Sequence, residues 1–183
     1  MLPQVNQILD TIREKLSGVS HEATLALVNE ICIAPRVFFA GAGRSKLVAN
    51  MFAMRLMHCG HYVHIVGDVT TPAIGKEDLM IIVSGSGETS QLIQFATRLE
   101  AIQSHREKPR VAVITAKSNS TLSLLADTKV VLEPENKEAE NCLPLGGRFE
   151  LAALVYLEAV IIELMRKLSL SESDLRARHT NLE

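Results

Sequence analysis

The sequence has few cysteines, no block of basic residues and no long uncharged apolar run, and each shortage removes a class of protein. Cys32, Cys59 and Cys142 are odd in number and far apart, which argues against a disulfide framework and against a zinc knuckle. Reduced thiols in a cytoplasmic protein are the expectation. The net charge is −2, so nucleic acid is not an expected partner, and any charge that attracts an anion must be local. No stretch is long and charge-free enough to span a membrane, and the first residues lack the basic-then-apolar pattern of a signal peptide. Three familiar signatures are missing as well. There is no G-x-x-x-x-G-K-[ST] phosphate loop, Lys46 stands where a dinucleotide fingerprint needs its third glycine, and no G-x-S-x-G nucleophile elbow occurs.

What is present is one domain's worth of chain. Its 183 residues are 47% hydrophobic and 22% charged, which is ordinary for a globular protein with a substantial core. The pattern centres on Ser84-Gly85-Ser86-Gly87-Glu88-Thr89. Before it, Leu79 to Val83 is a continuous apolar run of strand length. After it, Leu92, Ile93, Ala96 and Leu99 recur at helical spacing between Ser90 and Ile102. Glycines allow the tight turn, a helix N-terminus offers unpaired N–H groups, and three hydroxyls converge there, which describes a phosphate cradle. A helix cap with small turn residues explains the same letters. A second copy of the design favours the cradle: Val37 to Ala40 is followed by Gly41-Ala42-Gly43-Arg44-Ser45 and then a helical pattern from Leu47 to Met57. Two such units imply one ligand held between two loops, and a phosphate ester rather than a dinucleotide.

In chain order, Val5, Ile8, Leu9, Ile12 and Leu16 form one face of a helix that Gly18 ends, and Ser20 caps a second helix containing Ala23, Leu27, Val28 and Ile31. Further strands are expected at Tyr62–Val66, Val111–Thr115 and Lys129–Leu132, with a short helix at Leu122–Ala126. Strands alternating with helices imply a three-layer, doubly wound α/β sandwich on a five-stranded parallel sheet, with ligand at the strand C-termini. The single domain divides into N-terminal helices (1–33), an α/β core (36–132), a charged loop (133–141), a long helix (147–168) and a tail (171–183). The long helix is apolar almost all round, so a subunit interface is expected there.

His58, His61 and His64 are each three apart, but Gly60 interrupts the helix between them, so no shared metal face is expected. His21 and His105 are assigned no role. Glu150 follows a glycine turn at the start of the long helix. It is either a carboxylate well placed in a first turn or a partly buried base, and pattern alone favours the first. Arg44 pairs with a phosphate or with a nearby carboxylate.

The two loops resemble the phosphosugar loops of the sugar isomerase (SIS) domain superfamily, in the flavodoxin-like strand order. Within it, the chain looks most like the 6-phospho-3-hexuloisomerase family on the stretches Phe52–Gly60, Gly67–Ile74, Phe149-Glu150 and Arg178–Glu183. The resemblance covers nearly the whole chain. The apolar long helix makes a homo-oligomer, most simply a tetramer, the expectation, and the resemblance implies that the protein interconverts 3-hexulose 6-phosphate and fructose 6-phosphate through a C2–C3 enediolate in formaldehyde fixation by the ribulose monophosphate pathway, with no metal or organic cofactor. It implies phosphate binding by Gly43, Arg44, Ser45 and the run Ser84, Gly85, Ser86, Gly87, Glu88 and Thr89. It makes Glu150 the proton acceptor, reversing the reading from pattern, with His179 or His58 assisting, and it implies that the tail reaches a neighbouring subunit's site. Two positions depart from the family: Lys46 replaces a glycine, and Pro144 to Glu150 differs from Pro-Met-Gly-Thr-hydrophobic-Phe-Glu, placing Arg148 beside the base, where it bears on substrate choice. Another phosphosugar aldose–ketose isomerase is the nearest rival, a non-catalytic sugar-phosphate sensor a further one, and a dinucleotide oxidoreductase the last.

Overall fold

The computed structural model describes residues 2–101, 108–132 and 147–182. Cys142, His105, the charged loop 133–141, residues 144–146 and the terminal Glu183 lie outside the described residues. The strands are β1 (Val37–Gly41), β2 (Val63–Ile65), β3 (Leu79–Val83), β4 (Arg110–Thr115) and β5 (Thr128–Val131). All pair in parallel in the order β2-β1-β3-β4-β5. The helices are α1 (Pro3–Leu16), α2 (His21–Ile33), α3 (Gly43–His58), α4 (Ser90–Glu100), α5 (Thr121–Leu125), α6 (Gly147–Leu168) and α7 (Glu172–Ala177).

β3 is buried along its whole length, as a central parallel strand covered on both faces must be. Its alternate residues feed two cores. Leu79, Ile81 and Val83 join Phe39, Phe52, Leu157 and Val160 under α2, α3 and α6, while Met80 and Ile82 join Leu92, Ala96 and Leu122 under α4 and α5. This is the period-two pleat acting on a run that looks uniformly apolar in the sequence.

Register decides where a ligand can sit. Val37 pairs with Leu79, and Gly41 pairs with Val83, so β1 and β3 end level and the two glycine–hydroxyl loops leave the sheet side by side. From β1 the chain crosses to β2 on one side, and from β3 it crosses to β4 on the other. This is the topological switch point, where a crevice opens beyond the strand C-termini.

At the opposite end of the sheet, Asp78 is buried and holds Arg36 (2.6 and 3.1 Å) and the Gly75 N–H (2.7 Å). The hydrogen bond from Arg36 to Asp78 raises the guanidinium pKa. Burial pushes the Tyr156 phenol up to about 12, and its hydroxyl hydrogen-bonds Thr24 Oγ1 at 3.2 Å, tying α6 to α2.

α6 is well covered on one side by Ala152, Ala153, Tyr156, Leu157, Val160, Ile161 and Leu164, but Val155 and Ile162 are exposed. Beside it, α3 exposes Leu47, Met51 and Met54 at helical spacing, and Arg55 on α3 pairs with Glu158 on α6 at 3.2 Å. The sheet therefore covers only part of the apolar surface of α6, and an apolar ridge remains on two adjacent helices. The tail differs from a frayed end: α7 is a helix with a capping box, in which Ser171 and Asp174 satisfy each other's backbone N–H groups.

Candidate active site

Each loop is shaped by a glycine that no other residue can replace. Gly41 ends β1, and a Cβ there would lie 2.8 Å from Lys46 Cα, so α3 can start hard against the strand only without one. Gly87 has φ +66°, and its Cβ would fall 2.0 Å from Ser120 Oγ, so the second loop is pressed on to the start of α5.

The Ser84 and Ser86 hydroxyl oxygens are both held by backbone N–H groups. Ser84 Oγ accepts the Gly87 N–H at 3.2 Å, and Ser86 Oγ accepts the Glu88 N–H at 3.2 Å, which leaves each hydroxyl hydrogen to donate elsewhere. Thr89 is the N-cap of α4 and Ala42 the N-cap of α3, yet neither helix receives a side-chain cap hydrogen bond. Two helix N-termini thus keep their unpaired N–H groups and partial positive charge at the same place. Ala42, Ser45, Ser84, Ser86 and Thr89 line one cavity of about 390 Å³. Such a lining suits a phosphate.

Glu150 stands on the cavity wall, in the first turn of α6. Its side chain is 15% exposed, and among the described residues Oε2 has no hydrogen-bond partner. It makes a long ion pair with Arg44 Nε at 3.9 Å, on a side chain 62% exposed. A buried carboxylate oxygen left without a donor is available to take a proton from a bound molecule. Phe149 next to it packs within 2.9 Å of where a Gly85 Cβ would be, so the helix bearing Glu150 rests directly on the serine loop.

The structure divides the residues expected to act together. Ser45, Ser84, Gly85, Ser86, Thr89 and Glu150 line the cavity. Gly43 and Gly87 shape the backbone with φ +52° and +66°, and Arg44 lies at the edge against Glu150. Glu88, expected among the phosphate ligands, points elsewhere. Its carboxylate accepts the Thr121 N–H at 2.7 Å and the Thr121 hydroxyl at 2.8 Å, capping α5. Those bonds, the backbone one foremost, lower its pKa. The Glu88 carboxylate therefore caps α5, and Glu88 is not among the residues lining the cavity. Lys46 is explained too: its ammonium donates to the Val66 carbonyl at 3.3 Å, bracing the end of β2.

His58 and His179 are also apart from Glu150. They stack on each other with centroids 5.2 Å apart and planes at 22°, at the C-terminal end of α3. Ser45 is at the other end of that helix, about 20 Å away along its axis. Burial first, then His179 and Arg55, lowers the His58 pKa. The tail docks there through Arg178, which donates to the His58 carbonyl at 3.3 Å and packs on Gly60. The pair borders a second cavity of about 650 Å³ with Arg55, Arg176 and Asn181. His61 and His64 go elsewhere: burial lowers the His61 pKa, and His64 packs on Phe38 with centroids 5.0 Å apart. Among the described residues no cluster of three or more metal-capable side chains is found, and no helix is long and apolar enough to cross a membrane.

Lys15 also lines the first cavity and is not foreseen from the sequence reading. A signal was present, since Lys15 continues the line of Ile8 and Ile12 at helical spacing, where an apolar residue belongs.

A switch-point crevice lined by hydroxyls, two helix N-termini without side-chain caps and a carboxylate with one oxygen lacking a hydrogen bond defines an α/β domain whose cavity suits a phosphorylated small molecule. The chain belongs to the SIS domain family, whose model matches residues 30–148. It is 36% identical to the 3-hexulose-6-phosphate isomerase of Bacillus subtilis over 98% of this chain and 97% of that one. It is 37% identical to the 3-hexulose-6-phosphate isomerase of Methylomonas aminofaciens, over 98% and 96%. A crystal structure of a hypothetical protein from Methanococcus jannaschii, reported to infer a molecular function of 3-hexulose-6-phosphate isomerase, superimposes with a TM-score of 0.80 at 34% identity, covering 98% and 97%.

Proposed function

We propose that the protein interconverts 3-hexulose 6-phosphate and fructose 6-phosphate. The observation that carries this reading is Glu150, whose Oε2 is buried with no hydrogen-bond partner among the described residues, on the wall of a cavity that also carries the hydroxyl cradle for a phosphate. Full-length similarity to isomerases of this name supports the choice of substrate. Ser45, Ser84, Ser86, Thr89 and the N-termini of α3 and α4 bind the phosphate, which fixes the sugar carbons near the base. Glu150 takes the C2 proton of the 3-hexulose. The released pair forms the C2–C3 double bond, and the C3 carbonyl pair moves on to its oxygen, giving the enediolate. The proton returns to C3, and the C3 oxygen takes up the proton that the C2 hydroxyl gives up, leaving a C2 ketone and a C3 hydroxyl. One carbon is oxidised as its neighbour is reduced, so no outside electron acceptor is consumed. A second reading, another phosphosugar aldose–ketose isomerase, is favoured only by Arg148 on the cavity wall.

The working site draws on more than one subunit. His58 and His179 are too far from their own Glu150 to share a substrate with it, and they act in a neighbour's cavity, assisting proton movement among the sugar oxygens. The exposed ridge of Leu47, Met51, Met54, Val155 and Ile162 supports assembly through α3 and α6 into a symmetric oligomer, a tetramer, in the cytoplasm. The reaction follows the one that joins formaldehyde to ribulose 5-phosphate. The test is incubation of purified protein with fructose 6-phosphate in deuterated water. Formation of the 3-hexulose 6-phosphate with deuterium on carbon is the expected result, and no exchange and no product would overturn the reading.

A further inference from the structure

Glu88 belongs to the serine loop, yet its side chain is committed to a different element. One carboxylate oxygen accepts the Thr121 N–H at 2.7 Å and the other the Thr121 hydroxyl at 2.8 Å. These bonds tie the end of the loop to the first residue of α5. That helix already has an N-cap, since Ser120 Oγ accepts the Ser123 N–H at 3.3 Å. What the Glu88 tie adds is a fixed place for the loop. The other ties between the loop and the β4–α5 segment are made by backbone. The Ser84 N–H donates to the Ile114 carbonyl at 3.0 Å, the Ala116 N–H to the Gly85 carbonyl at 3.1 Å, and the Leu122 N–H to the Gly87 carbonyl at 3.1 Å.

Ser86 lies between the two tied glycines and lines the cavity. Its hydroxyl oxygen accepts the Glu88 N–H at 3.2 Å, and an oxygen so engaged keeps its hydrogen for an anion. Glu88 thus joins two contacts in one residue: the carboxylate is anchored on Thr121, and the N–H sets the Ser86 oxygen. We infer that Glu88 is a positioning residue of the phosphate cradle, which, clamped on Thr121, holds the Ser86 hydroxyl for a phosphate that its own carboxylate does not touch. This rests on the phosphate-binding reading above. Charge and geometry predict opposite signs for its removal. Taken as charge alone, loss of a carboxylate near an anion site strengthens phosphate binding. Loss of the clamp weakens it.

Calorimetric titration with inorganic phosphate and with fructose 6-phosphate, with a thermal melt alongside, compares wild type with Glu88→Ala, Glu88→Gln, Thr121→Val, Ser86→Ala and the double variant Glu88→Ala with Ser86→Ala. Glu88→Ala is expected to bind both ligands about tenfold more weakly, the worth of one hydrogen bond to a charged group. Glu88→Gln loses the same charge but keeps an acceptor for Thr121, so its affinity falls between. Thr121→Val keeps the charge, removes one of the two bonds and also weakens binding. The double variant binds no more weakly than Ser86→Ala, because two residues that act through one hydroxyl are not additive. Affinity in Glu88→Ala equal to or above that of wild type, with only the melt displaced, makes the contact a helix tie alone and overturns the proposal. Losses that add in the double variant overturn it equally, since Glu88 then acts other than through Ser86. If Glu88→Ala does not fold, Glu88→Gln takes its place under the same criteria. Wild type that binds neither ligand overturns the cradle and this proposal together, whereas a binding wild type with an unaffected Glu88→Ala rejects Glu88 alone.

Discussion

Glu150 and the hydroxyls opposite it have separable duties, and single substitutions distinguish them. Glu150→Gln retains shape and polarity but cannot accept a proton, so kcat falls by about 10²-fold or more while fructose 6-phosphate still binds, as kinetics and calorimetry on one preparation will show. Thr89 receives no cap bond from its own helix, so Thr89→Val removes a phosphate donor without touching α4. Affinity for fructose 6-phosphate drops by about 1–3 kcal/mol, the worth of a hydrogen bond to a charged group, with the melting temperature held. Ser84→Ala loses the same donor and also the Gly87 N–H contact, so affinity and melting temperature fall together. Equal affinity of wild type for fructose and fructose 6-phosphate would refute the cradle outright.

At the level of elements, the loops depend on backbone shape more than on side chains. Gly43 has φ +52° with open space where a Cβ would go, whereas Gly87 combines φ +66° with a 2.0 Å collision. Gly43→Ala therefore costs about 1–2 kcal/mol of left-handed strain. Gly87→Ala adds overpacking of about 1–3 kcal/mol and pushes the serine loop off α5, so its phosphate affinity falls as well, and denaturant unfolding with phosphate titration separates the two. Tyr156 supplies a pH signature. Its folded pKa of about 12 lies above the unfolded value near 10, so its contribution to stability is complete below pH 10. It is lost at about 1.4 kcal/mol per pH unit as pH rises from 10 to 12. Tyr156→Phe should flatten that part of the curve; an unchanged alkaline slope would contradict it. The strands, both glycine loops and the helix at Glu150 were legible in the sequence because apolar runs, period and turn residues are local signals, whereas strand order came only with the family resemblance. α7 was not, since its short Ser171-to-Asp174 capping box in a polar terminus looks like ordinary tail. The α5 cap made by Glu88 and the placing of Glu150 and His58 on separate cavities depend on contacts between distant segments, which no local period encodes.

For the whole molecule, Glu150 and the histidine pair line separate cavities, so the proposed function requires assembly. Light scattering at micromolar concentration should show an oligomer, and a monomer would refute the interface. Subunits with Glu150→Gln and subunits truncated after Ala177 should each be nearly inactive. Refolded together in equal amounts, they give about a quarter of sites an intact base and an intact tail from different chains. Recovered turnover is expected, and verified mixed oligomers that stay inactive would reject action across the interface. The level ends of β1 and β3 have a further consequence, which concerns the order in which the molecule comes apart. Both serine loops hang from one ladder of amides buried on both faces, and such amides exchange with solvent only when the whole domain opens. α7 has no buried residue and opens at little cost. In rising denaturant, then, the histidine end melts away first while the phosphate end persists. Turnover should vanish at urea concentrations where fructose 6-phosphate still protects the amides of β1 and β3.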